Sequence, residues 1–98
     1  MIPFVLTPAA AEDIRDIDDR LAEDSKGAAE RVSDAIEAAM ARLAEHPMLG
    51  HVRVDLTSRP YRFWSVYSYL IVDQPAPAPI QIIRVLHGAR DITELLKI

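Results

Sequence analysis

The chain has 98 residues, of which 50% are hydrophobic and 27% are charged, a composition that fits one globular domain and excludes an intrinsically disordered chain. It contains no cysteine, which excludes a disulfide framework and thiolate metal ligands. The net charge of −4 argues against an obligate nucleic-acid binder. Neither a signal peptide nor an apolar run of about 20 residues is present, so we expect one soluble domain over residues 1–98, located in the cytoplasm and not in a membrane.

The first half of the chain predicts a short strand followed by a helical hairpin. The apolar run at residues 2–6 favours a strand, and Thr7-Pro8 is typical of a helix start because a proline there needs no partner for its nitrogen. Apolar residues then recur at three- and four-residue spacing, which predicts a helix over about 8–23. The polar break at 24–27 and a second apolar stripe within 32–43 predict another helix, antiparallel to the first, that ends before the next proline.

The second half changes to the alternating pattern of strands. Residues 52–56, 61–72 and 80–86 predict three strands, and the proline-rich stretch 73–79 predicts an extended loop between the last two. The tail after residue 88 predicts a short helix. The whole order predicts an α+β fold: an N-terminal strand, an antiparallel helical hairpin packed on a small, mostly antiparallel sheet, and a short C-terminal helix.

The charges are divided unevenly along the chain. Residues 1–45 carry five basic and eleven acidic groups, whereas residues 46–98 carry six basic and four acidic groups. Solvated helix surfaces account for the acidic half. The basic half contains five arginines on or near predicted strands, where they could attract phosphates or acidic protein segments: Arg53, Arg59, Arg62, Arg84 and Arg90.

A series of short motifs runs through the second half. They are L-A-x-x-P-x-x-G at 43–50, R-V-D-L at 53–56, P-Y-R-F-W-S-V at 60–66, Y-x-Y-L-I at 67–71 and R-V-L-H-G-A-R-D at 84–91. In this order and spacing the chain resembles the RelE/ParE superfamily of toxins from type II toxin–antitoxin systems, and the last motif is typical of its ParE-like, or plasmid-stabilisation, members. The resemblance implies that a co-encoded antitoxin, whose extended C-terminal segment wraps the toxin, neutralises this chain.

The resemblance leaves two activities open. ParE-like members inhibit DNA gyrase by binding it, whereas RelE-like members are metal-independent endoribonucleases that cut messenger RNA on the ribosome. For the nuclease, the resemblance implies that Arg62 and Arg90 hold the phosphate, and His87 is the candidate for proton transfer. RelE-like nucleases place a tyrosine or histidine near the C-terminus, where this chain has Leu95 and Leu96. We therefore expect inhibition of gyrase by binding, with a degenerate toxin that keeps only antitoxin binding as a further alternative.

Each candidate residue also has a structural interpretation. Arg62 could form an ion pair on the sheet surface, His87 could cap a turn, and Arg90 with Asp91 could pair locally or cap the last helix. For the antitoxin, we expect Arg53, Arg59 and Arg84, together with Arg62, to attract an acidic segment.

Other residue classes carry weaker expectations. The alanines of the hairpin are expected to allow close approach of an antitoxin helix: Ala9, Ala10, Ala28, Ala35, Ala38, Ala39 and Ala41. Most of the strand aromatics at 61–69 are expected in the core rather than stacked on bases. His46 and His51 lack further ligands at metal-binding spacing, so we expect neither a metal nor a cofactor.

Overall fold

The computed structural model describes residues 3–88 and 90–96. Five strands and three helices follow one another along the chain: β1 (Phe4–Leu6), α1 (Pro8–Asp24), α2 (Lys26–Glu45), β2 (His51–Val52), β3 (Arg62–Val66), β4 (Tyr69–Gln74), β5 (Ile80–His87) and α3 (Ile92–Leu95). The strands form one sheet in the order β1-β5-β4-β3-β2. β1 pairs with β5 in parallel, and the other neighbours are antiparallel. The predicted α+β class is confirmed.

Both long helices begin at side-chain caps. Thr7 precedes α1, and its Oγ1 accepts a hydrogen bond from the Ala10 amide at 3.1 Å. Ser25 does the same for the Ala28 amide at the start of α2. These bonds satisfy amides that have no partner within the helix. The Thr7 hydroxyl also donates to the Ile83 carbonyl oxygen at 2.8 Å, which fixes the start of α1 against β5.

The sheet buries both of its faces. The helical hairpin covers one face, with Ile36 and Leu43 of α2 packed against Ile71 and Ile82 of the central strands. The short helix α3 and the β2–β3 loop cover the other face, which is a smaller cluster of apolar side chains: Phe63, Val72, Leu86, Ile92 and Leu96, with Leu56 and Tyr61 at its margin. The hairpin therefore supplies the larger part of the core, and the loop side is covered thinly.

Two strand predictions were wrong. Residues 61–72 are not one strand but two, because Tyr67 and Ser68 form a tight turn between Val66 and Tyr69. Tyr67 occupies the left-handed region with φ 53°, which glycine or asparagine normally fills, so the turn gave no composition signal.

The strand predicted at 52–56 is only His51–Val52, because the chain enters turns from Arg53 onwards. The loop predicted at 73–79 starts later than expected, since β4 continues to Gln74. Ile2, at the start of the first predicted strand, lies outside the described residues.

Candidate functional site around Arg62

Arg62 begins β3 at one end of the sheet, beside the loop that leaves α2. Its Nη1 donates to the Gly50 carbonyl oxygen at 2.8 Å and, more weakly, to the Met48 carbonyl oxygen at 3.4 Å. The guanidinium therefore fastens the α2–β2 loop to the sheet. Directly across the β3–β4 pairing from Arg62 stands Asp73, so the two side chains share the sheet face that the hairpin covers.

Asp73 is a fully buried carboxyl group next to this arginine. Its exposed fraction is 0%, and neither carboxyl oxygen has a hydrogen-bond partner within the described residues. Burial raises the pKa of Asp73 from 3.8 to about 6, and the positive charge of Arg62 opposes that rise in part. A buried carboxylate without donors is costly, so this position opposes folding at neutral pH.

Gly50 packs directly against Arg62 and Asp73. A methyl group at Gly50 would lie 2.9 Å from the Cβ of Arg62 and 3.2 Å from Oδ1 of Asp73. Such contacts are closer than side chains tolerate, so the position requires glycine because the loop passes directly over the cross-strand pair. The glycine that closes the L-A-x-x-P-x-x-G motif is thus explained by close approach of the loop.

The other two candidate catalytic residues lie at the opposite end of the sheet. His87 ends β5 opposite Tyr69, and the two rings meet edge to face with centroids 5.3 Å apart. The Arg90 amide donates to the His87 carbonyl oxygen at 3.0 Å, and Arg90 itself is exposed. From their strand positions, His87 and Arg62 are separated by about 13 Å along the sheet and about 10 Å across it.

The three residues therefore do not form one constellation. Cleavage through a 2′-hydroxyl needs a base, a phosphate-binding cation and an acid within hydrogen-bond reach of one reacting group. The structure brings His87 and Arg90 together along one small cleft beside α1 but leaves Arg62 far from both. Asp91, the neighbour of Arg90, caps α3 by accepting from the Glu94 amide at 3.2 Å, one of the two structural roles expected of this dipeptide.

The arginines expected to meet an acidic partner differ in their availability. Arg84 forms a two-pronged ion pair with Asp13 of α1, at 2.7 and 2.9 Å, and the side chains are only 15% and 11% exposed. Oδ2 of Asp13 also accepts from the Val85 amide. Arg84 therefore joins α1 to β5 rather than standing open on the surface.

The other two arginines expected to attract an acidic segment, Arg53 and Arg59, lie on the β2–β3 loop. Arg53 is exposed and pairs with Asp55 at 2.8 Å, an interaction that water weakens. The hydrogen bond with Asp55 raises the pKa of Arg53, and the same bond lowers the pKa of Asp55. Arg59 is also exposed, on the same loop.

A groove lined by five prolines crosses the Arg62 end of the sheet, where β3 and β5 begin and β4 ends. We call it the proline-lined groove; its prolines are Pro3, Pro47, Pro60, Pro75 and Pro79. It has two compartments that share Pro75. The larger, of about 570 Å³, is also lined by Ala44, Glu45, Ala78 and Ile80. The smaller, of about 280 Å³, is also lined by Met48, Val52, Tyr61, Arg62 and Ala76.

The structure assigns different roles to the alanines and aromatics that the sequence singled out. Ala10 and Ala39 are buried in the core and cannot receive a partner helix, whereas Ala38 and Ala41 are exposed. Phe63 and Tyr69 are core residues as expected. Tyr67, at the tip of the β3–β4 turn, is instead 69% exposed.

Sequence reasoning missed the importance of Asp13 and Asp73. Asp13 looked like one of many solvated carboxylates on α1, and only the packing of α1 on β5 reveals its role. Asp73 did leave a signal, since it directly follows the apolar run Tyr69–Val72 and strand alternation places it on the same face as Ile71. That signal was overlooked because the prolines after it suggested a loop.

Within residues 3–88 and 90–96, no group of three or more histidine, aspartate or glutamate side chains could hold a metal ion. Among those same residues, no helix is long and apolar enough to cross a bilayer.

The family model of the ParE toxin of the type II toxin–antitoxin system parDE matches residues 4–92. Among solved structures, the chain is similar to one described as the chromosomal ParDE TA system from P. aeruginosa, with a TM-score of 0.73 and 19% identity over 89% of this chain and 96% of that one. No curated protein matches the sequence.

The match covers nearly the whole chain, and the fold agrees. The protein belongs to the ParE toxin family and is a type II toxin.

Proposed function

We propose that this chain is a cytoplasmic toxin that inhibits DNA gyrase by binding it and that a cognate antitoxin holds it inactive. The ParE family match over residues 4–92 carries the proposal. The layout of the candidate residues supports it, because a gyrase inhibitor needs a binding surface and no chemistry. Arg62 lies at one end of the sheet and His87 at the other, so the described residues favour binding over RNA cleavage.

The test compares both activities on the purified chain. A DNA supercoiling assay with gyrase is expected to show inhibition that rises with toxin concentration and disappears when the antitoxin is added. A ribosome-programmed cleavage assay on the same preparation is expected to leave the messenger intact. Cleaved messenger with normal supercoiling would overturn the proposal in favour of a ribosome-dependent nuclease.

Substitutions at the candidate residues sharpen this comparison. His87→Ala and Arg90→Ala would abolish activity if the chain were a nuclease, because they remove the proton donor and a phosphate ligand. If the chain is a gyrase inhibitor, a variant that still inhibits gyrase but is no longer neutralised has lost its antitoxin-binding surface. A variant that no longer inhibits gyrase has instead lost its gyrase-binding surface. A chain that binds the antitoxin but neither inhibits gyrase nor arrests growth when expressed alone would be a degenerate toxin.

A further inference from the structure

The proline-lined groove has walls that offer few backbone donors. Each of its five prolines lacks an amide hydrogen and holds φ nearly fixed. An occupant therefore gains affinity from apolar side chains that enter rigid compartments, rather than by adding a strand to these segments. The volumes of about 570 and 280 Å³ suit one or two bulky side chains each.

The groove also carries large apolar side chains that are open to solvent. Met48 and Val52, which line the smaller compartment, are 70% and 59% exposed. Large apolar side chains grouped on a small protein in this way mark a surface that a partner covers. Val54, two residues further along, is even more exposed but does not line the groove.

The charges differ between the two compartments and therefore favour one orientation of an occupant. Arg62 lies in the smaller compartment, and its hydrogen bonds to Met48 and Gly50 both use Nη1, which leaves Nε and Nη2 for a further acceptor. On the adjoining loop Arg53 is already paired with Asp55, so Arg62 is the cation that the smaller compartment itself offers. The larger compartment instead carries Glu45, which would repel a second carboxylate. An acidic side chain is therefore favoured at the smaller compartment and a neutral apolar one at the larger.

We propose that the proline-lined groove receives an extended antitoxin segment, with an acidic residue beside Arg62 and a bulky apolar residue in the larger compartment. This rests on the proposed neutralisation by an antitoxin and adds where and in which orientation the segment binds. A second copy of this chain is a poorer occupant, because its acidic groups lie mainly on α1 and α2. Such helices cannot enter a groove as an extended segment.

The experiment measures binding of the full-length cognate antitoxin to the full chain and to matched variants. Val52→Glu places a negative charge in the smaller compartment, and Ala78→Trp fills the larger one. Each is expected to weaken binding at least about 30-fold, as loss of an interface anchor does. Val54→Glu and Ala22→Trp make the same changes at exposed positions outside the groove and are expected to change affinity by less than about threefold.

Salt dependence tests the orientation. Affinity for the wild-type chain is expected to fall as salt is raised, and Arg62→Gln is expected to reduce that fall, because it removes the cation that holds the acidic residue. Circular dichroism checks that each variant is folded, and Met48→Glu replaces Val52→Glu if the latter does not fold.

The outcomes separate the two proposals. If the wild-type chain does not bind the antitoxin at all, the proposed neutralisation fails. If the wild-type chain binds but the groove variants bind equally well, or the control variants lose as much affinity, the groove is not the antitoxin site.

Discussion

Asp73 makes the stability of the fold depend on pH in a direction opposite to that of most carboxylates. Its pKa is about 6 in the folded chain, against 3.8 for an unperturbed group. The folded state therefore binds the proton more tightly than the unfolded state. Below about pH 4 both states hold the proton, so the cost of burying the charge is absent and only that of the neutral carboxyl, unpaired within the described residues, remains. Between pH 4 and 6 the unfolded chain alone releases it, so stability falls as pH rises, and above pH 6 the full cost remains.

The size of the effect follows from the gap between the two pKa values. About two pH units correspond to about 3 kcal/mol of the free energy of unfolding. Asp73→Asn removes the charge but leaves an amide that needs its own partners, which costs about 1–2 kcal/mol. The variant is therefore expected to be more stable than the wild type at pH 7, by about 1–2 kcal/mol, and less stable or equal at pH 4.

Urea unfolding from pH 4 to pH 8, followed by Trp64 fluorescence, measures this difference. Subtracting the two curves removes the titration of the three histidines, which both proteins share. Asp55→Asn is the control, since Asp55 is exposed and its pKa is lowered by Arg53, so its curve should show no gain at pH 7. A wild-type chain as stable as Asp73→Asn at pH 7, with no difference across the titration, would refute the reasoning.

Three further substitutions test packing that the structure shows. Gly50→Ala is expected to lower the free energy of unfolding by about 1–3 kcal/mol, because the added methyl group lies 2.9 Å from the nearest side-chain atom; thermal denaturation measures the loss. Asp13→Asn is expected to cost about 2 kcal/mol by breaking the two-pronged pair with Arg84, whereas Arg53→Gln should leave the melting temperature unchanged; equal losses would contradict this assignment. Tyr67→Gly is expected to stabilise the chain by about 1 kcal/mol, since glycine adopts φ 53° without strain, and a fall in chemical-denaturation midpoint would show that the exposed ring contributes packing.

The helices could be predicted closely because local chemistry determines them. Thr7, Pro8 and Ser25 are strong start signals, and the apolar stripes keep the helical period over about three turns. The turn between β3 and β4 could not be predicted, since Tyr67 and Ser68 have neither the flexibility nor the composition of a usual hairpin turn. Tertiary pairing of Val66 with Tyr69 forces that geometry.

The candidate site was predictable in its parts and not in its arrangement. The sequence named Arg62, His87 and Arg90, but their distances depend on which strands are neighbours, and strand order cannot be read from alternation. Arg84 shows the same limit. Its partner Asp13 lies 71 residues away in the chain. Nothing in the sequence around Arg84 therefore distinguishes it from an arginine that is available to bind another protein.

The parallel pairing of β1 with β5 also constrains the order in which the fold can form. Phe4 pairs with Ile80, the first residue of β5, so β1 cannot enter the sheet until β5, distant in the chain, is available. The helical hairpin can form early from local contacts, but its apolar stripes remain uncovered until the sheet packs against them. Completing the sheet therefore requires contacts between residues far apart in the chain, which makes this pairing a slow step of folding rather than a local one.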